Sequence, residues 1–208
     1  MMRPLGLLSI VLLSVVATAA VARAEEGFKP LFDGRTLDGW EGNDKLWSVE
    51  DGAILGSTED VEALKKNTFL STKKTYKNFS LKTKFKLRNG NSGIQFRSKT
   101  FPEFVVRGYQ ADIAENQFMG ILYEEGGRGI LVNVKPEDVA KHVKKDDWNE
   151  YVITADGPKI TQTLNGFTTV DYMEKSDVGA KEGVIALQLH VGPKMKVWFK
   201  DVELRELP

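Results

Sequence analysis

Residues 79–88 alternate without a fault. Phe79, Leu81, Thr83, Phe85 and Leu87 are separated by Ser80, Lys82, Lys84, Lys86 and Arg88. Strand side chains two apart project to the same side, so this run buries one face and wets the other. An antiparallel sheet is the architecture that leaves one face to water. Lysines on the wet face also oppose edge-to-edge pairing. Asp51-Gly52, Asn89-Gly90, Asp156-Gly157 and Asn165-Gly166 supply the positive φ of tight hairpins. Between such turns, strands are expected near 46–50, 53–57, 68–72, 79–88, 92–98, 104–113, 117–123, 150–156, 159–164, 167–172, 183–190 and 195–206. The fold class is all-β, an antiparallel β-sandwich or jelly roll. One short helix is expected from Pro136 to Lys145, with Pro first and lysines last, and a single turn at 60–66.

The first 24 residues read as a secretory signal peptide. Arg3 precedes an apolar run from Leu5 to Val16, and Ala22-Arg23-Ala24 is a small-x-small cleavage site. The run is short of the roughly 20 residues a membrane span needs. The expected location is periplasmic or extracellular, with one domain over 25–208. Cleavage removes Arg3 and Arg23 from a chain of 29 basic and 29 acidic residues, leaving two more acids than bases. That near-neutral balance argues against nucleic acid. No second apolar segment offers a membrane span. Cysteine is absent, which excludes disulfides, thiol nucleophiles and zinc ribbons. Only His142 and His190 are present, so a multi-histidine metal site within one chain is not expected.

Three segments place hydrogen-bonding side chains where other strands place lysine. Gln95 and Arg97 alternate with Ile94 and Phe96. Gln110 and Asp112 alternate with Tyr109, Ala111 and Ile113. Gln188 and His190 alternate with Leu187 and Leu189. Each pair is expected on one strand face, with core residues opposite. Such groups have fixed donor and acceptor geometry suited to sugar hydroxyls. The plain alternative is a solvated surface. His190 is a candidate proton carrier beside Gly192 and Pro193, whereas His142 lies among lysines. Gly120 to Gly129 reads either as a plain hairpin or as a rim loop offering Tyr123, Glu124 and Arg128. No Gly-Lys-Ser/Thr follows it, so it is not a phosphate loop.

The segment from Phe32 to Trp40 resembles the opening of the 3-keto-disaccharide hydrolase domain family. The likeness continues through Trp47 to Gly52, Asn91 to Arg97, Gly108-Tyr109-Gln110, Trp148-Asn149-Glu150, Leu164-Asn165-Gly166, Leu187 to His190 and Phe199 to Val202. It covers nearly all of the chain after the leader. The resemblance implies a concanavalin A-like jelly roll in a bacterial exported protein, and cleavage of glycosides oxidised at C3. The matching polar positions are Gln95, Arg97, Gln110, Asp112, Gln188 and His190.

A C3 ketone acidifies the C2 proton, so a base can form an enolate and expel the C1 oxygen; water then adds. Such a site needs a base, an oxyanion stabiliser and an acid for the leaving group. The expectation is His190 or Asp112 as base, Arg97 with a Gln at the oxyanion, and Glu124 as acid. Gln95, Gln110, Gln188, Tyr123 and Arg128 would bind substrate. A divalent metal on Asp112 and His190 is a second route, poor at two protein ligands. No oligomeric state follows from the sequence. An ordinary retaining glycosidase needs paired carboxylates. Asp112 and Glu115 would fall on opposite faces of a continuing strand. The rival from another class is a non-catalytic carbohydrate-binding module using one of Trp40, Trp47, Trp148 or Trp198. A third reading makes the stripe a protein interface in cell-surface assembly.

Overall fold

Fifteen strands and one helical turn follow in order in the computed structural model, which describes residues 27–208. The expected leader, residues 1–24, lies outside the described residues. The strands are β1 (Lys29–Pro30), β2 (Trp40–Glu41), β3 (Trp47–Glu50), β4 (Ala53–Ser57), β5 (Thr68–Thr72), β6 (Phe79–Arg88), β7 (Asn91–Phe101) and β8 (Val105–Ala114). After them come β9 (Leu122–Glu125), β10 (Gly129–Val132), helix α1 (Pro136–Val139), β11 (Asn149–Asp156), β12 (Lys159–Leu164), β13 (Phe167–Met173), β14 (Val184–Leu189) and β15 (Lys196–Glu206).

They form two antiparallel sheets. The first runs β13-β12-β11-β6-β15-β4-β3, with β1 added to β15. The second runs β10-β9-β8-β7-β14-β5-β2. The alternation of 79–88 puts Phe79, Leu81, Phe85 and Leu87 into the space between the sheets. There they meet Ile94, Phe96, Tyr109, Ile113, Leu187 and Leu189. Phe85 stacks on Tyr151 at 5.4 Å, Phe96 on Tyr109 at 5.7 Å, and Phe79 meets Phe96 edge-on at 6.3 Å. Each fully buried side chain of this size contributes roughly 1.5–3 kcal/mol. Among the described residues, no helix is long and apolar enough to cross a membrane.

Two expected elements change. The helix stops at Val139 rather than Lys145. Side chains capture the next backbone groups: Asn165 Nδ2 donates to His142 O at 2.8 Å, and Asn149 bonds both the N–H and the C=O of Lys144. These local partners replace a further helical turn. The strand expected at 117–123 begins only at Leu122. With β10 it makes the glycine-rich segment a hairpin. Residues 58–67 are irregular, without the expected helical turn.

Candidate active site on the outer face of the second sheet

Pairing register decides what meets on this sheet. Gln95 lies opposite Gln110 and also opposite Ala186; Gly93 lies opposite Asp112. On the far side of β8, Gln110 faces Tyr123 and Gly108 faces Glu125. Residues directly opposite share a face. Gln95, Gln110, Asp112, Gln188, Tyr123 and Glu125 therefore stand on one side, away from the core aromatics.

Four of them form one hydrogen-bonded cluster. Gln110 Nε2 donates to Asp112 Oδ1 at 2.8 Å and to Gln188 Oε1 at 3.4 Å. Gln95 Nε2 donates to Gln110 Oε1 at 3.1 Å and to Val106 O at 3.3 Å. Gly93 makes this possible. A Cβ there would sit 2.6 Å from Gln110 Cδ, so only glycine lets the amide lie across the strand toward Asp112 and Gln188. Three polar atoms on this face are buried without a partner: Gln95 Oε1, Gln188 Nε2 and Asn91 Oδ1. Asn91 is two residues from Gly93 and shares its face. Unpaired buried polar atoms cost roughly 1–3 kcal/mol each, so their gathering here needs a reason.

The cluster is covered because the β7–β8 hairpin folds over it. Arg97 has φ 47° inside β7, the register slips between Phe96 and Lys99, and Gly108 opposite has φ 149°. A Cβ on Gly108 would lie 2.4 Å from Ser98 Oγ. Beyond this bulge the hairpin reaches β5, two strands away, where Phe69 N–H donates to Phe104 O at 3.0 Å. Phe69, Val106, Val184 and Ala186 seal the side of the cluster.

The same bulge corrects the expectation for Arg97. Its side chain leaves the polar face and is buried elsewhere. Nε donates to Lys77 O at 2.7 Å, one terminal nitrogen to Gly157 O at 2.7 Å and the other to Asn78 Oδ1 at 3.1 Å. Burial lowers its pKa. Arg97 ties the second sheet to the β11–β12 turn of the first.

Glu124 and Arg128 also leave the expected site. Glu124 pairs with core-facing Tyr109, so it points to the opposite side from Tyr123. Arg128 bonds Glu124 Oε2 at 2.6 Å and Glu174 Oε2 at 2.7 Å, and Tyr109 Oη donates to Glu174 Oε2 at 2.6 Å. Hydrogen bonds from Arg128 hold both carboxyls below their ordinary pKa. This closed network clasps the β9–β10 hairpin to the segment after β13. The carboxylate that this hairpin adds to the polar face, beside Asp112, is Glu125, which counting two residues from Tyr123 would have found.

His190 follows β14 directly and is half-buried at the margin of the cluster. Its Nδ1 lies 2.5 Å from Val191 O. A carbonyl only accepts, so Nδ1 donates there. Val191 N–H donates to Asn67 Oδ1 at 2.9 Å, and Asn67 Nδ2 reaches Glu125 Oε1 at 3.2 Å. Asn67 thus bridges the two rims, a contact across 58 residues of chain that no local pattern announces.

Burial pushes the Asp112 carboxyl up to about 7, against the hydrogen bond from Gln110 and with help from the charge on Glu125. Its backbone is fixed from two sides. Tyr151 Oη, from the first sheet, donates to Asp112 O at 2.8 Å, and Gly120 N–H donates to the same oxygen at 3.2 Å. Burial, then the charges on Glu125 and Asp112, raise Tyr123, which stays protonated. The donor set does not fit a metal centre: among the described residues, no three His, Asp or Glu side chains converge as ligands.

A two-sheet antiparallel sandwich with a glutamine-lined acidic cluster outside one sheet defines the class, a jelly roll. The chain belongs to the 3-keto-alpha-glucoside-1,2-lyase-like domain family, whose profile matches residues 27–205. A candidate glycosyl hydrolase of Parabacteroides distasonis ATCC 8503 is 25% identical with a TM-score of 0.65, over 86% of this chain and 99% of that one. Carbohydrate binding module CBM66 of Bacillus subtilis is 14% identical with a TM-score of 0.61, over 81% and 96%. The β-glucanase of Bacillus licheniformis is 10% identical with a TM-score of 0.59, over 87% and 97%. These last two likenesses concern the fold. No curated protein matches the chain.

Proposed function

We propose that this chain is an exported carbohydrate-active enzyme that cleaves 3-keto-glycosides by elimination followed by hydration. The observation that carries the proposal is Asp112: a buried carboxyl poised near neutrality, amid amides with unspent hydrogen-bonding capacity. A general base works best with a pKa near the working pH.

The Asp112 carboxylate takes the proton from C2 of the 3-keto sugar, and the electron pair delocalises onto the C3 oxygen. Gln188 Nε2, a donor without a partner, stabilises that oxyanion in place of Arg97. The enolate collapses, C1=C2 forms, and the C1–O bond breaks. Tyr123, kept protonated, gives its proton to the departing oxygen. Water then adds across the double bond, hydroxyl to C1 and proton to C2, for net hydrolysis. Gln95 Oε1 and Asn91 Oδ1 accept substrate hydroxyls. His190 stands at the margin as the relay that carries the proton taken by Asp112 to solvent, from which Tyr123 is reprotonated to close the cycle. The leader-like first 24 residues support export.

The test is incubation of the wild type and Asp112→Asn with a disaccharide and with its 3-keto derivative. Wild type is expected to consume only the keto sugar, and the variant to be slower by about 10²–10⁴-fold. Cleavage of the plain sugar alone would refute the proposal. Binding of either sugar without cleavage would point to a carbohydrate-binding module instead.

A further inference from the structure

The outer face of the first sheet carries a different chemistry. Lys84, Lys86 and Arg88 point outward along β6, and β15 sets Lys200 opposite Lys84 and Trp198 opposite Lys86. Trp148 stands just before β11. Lys86 Nζ lies 4.6 Å from the Trp198 ring centroid and 5.3 Å from that of Trp148. Lys200 Nζ lies 3.9 Å from the Trp148 centroid, and the Arg88 guanidinium 5.5 Å from that of Trp198. Neighbouring cations are neutralised, Lys84 by Asp201 and Lys141 by Asp138. Among the described residues, Lys86, Arg88, Lys144 and Lys200 form no ion pair.

A hollow of about 670 Å³ opens beside Trp148, with Lys144 and Lys200 on its wall together with Asp147 and Glu150. That volume is in the range of small-ligand sites. The ammonium groups of Lys144 and Lys200 offer an anion its counter-charge, Lys200 being held in place against the Trp148 ring. Asp147 and Glu150 on the same wall accept hydrogen bonds from sugar hydroxyls.

We propose that this hollow binds an anionic saccharide, one bearing sulfate or carboxylate groups, as an anchoring site separate from the Asp112 cluster. It lies on the other sheet, so a glycan held here does not touch the cluster. Because the site is independent of the cleavage reading, either can fail alone.

The experiment is calorimetric titration of the full chain with three hexasaccharides: a sulfated uronate-containing one, its desulfated form and a neutral one. The sulfated form is expected to bind, weakening as salt rises from about 50 to about 200 mM, with the neutral form at least about tenfold weaker. Loss on desulfation assigns sulfate as the recognised group, and retention assigns carboxylate. Lys144→Ala with Lys200→Ala is expected to weaken binding about tenfold with unchanged melting temperature, and the paired Arg replacements to retain it. Equal binding of the neutral sugar, an unaffected double alanine variant, or tighter binding of a single-stranded oligonucleotide would each overturn the proposal.

Discussion

Asp112 has two opposed consequences. In the folded chain its proton is held to about pH 7, whereas in the unfolded chain it leaves near pH 3.9, an approximate reference value. Between those values the folded state binds more protons, so stability falls as pH rises through the window and levels off above it. The ionised form is the one that can act as base. We therefore expect kcat/KM to rise with pH through about 7, measured on the keto substrate. Asp112→Asn should lose that activity yet melt higher than wild type at pH 8, by an amount worth on the order of 1–4 kcal/mol. Glu125→Gln removes a charge that raises Asp112, so the midpoint of the rate profile should move to lower pH. A Glu125→Gln profile unmoved or moved upward would separate the two carboxyls. Gly93→Ala should reduce activity with the fold retained, because its Cβ would displace the Gln110 amide; near-ultraviolet circular dichroism beside the rate checks both halves.

At the scale of elements, the bulge in β7 explains what the sequence showed and what it hid. Alternation correctly separated Ile94 and Phe96 from Gln95, because the strand is regular up to that point. It failed for Arg97 because one residue at positive φ reverses the face. Arginine is an unusual residue for that conformation, so composition carried no warning. The overlying hairpin was equally hidden, since its contact with β5 is long-range. Glu124 was a different kind of error. The strand parity that places Glu125 beside Asp112 was already present at Tyr123. Arg97→Met should destabilise the chain by about 3–5 kcal/mol, because one buried charge makes three hydrogen bonds. Denaturant unfolding checks it, with faster amide exchange around Gly157 as the local sign. A change in substrate affinity without loss of stability would return Arg97 to the site.

At the scale of the molecule, the sandwich was legible because period two is a local property with a global consequence. One-sided strands can only pair their apolar faces across two layers. Sheet order and register were not legible, and those alone make neighbours of β8, β7 and β14. The layers also cooperate in the chemistry, since Tyr151 crosses the core to hold the carbonyl of Asp112. Loss of that hydroxyl in Tyr151→Phe should cost about 0.5–1.5 kcal/mol of stability and slow turnover, read by thermal melting and by the rate on the keto sugar. The measurement that bears most directly on the central claim follows the C2 proton. A 3-keto-disaccharide is cleaved in deuterium oxide and the released keto sugar examined by nuclear magnetic resonance, beside an Asp112→Asn control. Deuterium at C2 of the wild-type product, well above the control, is the predicted result. Rapid cleavage that leaves the original proton at C2 would contradict it.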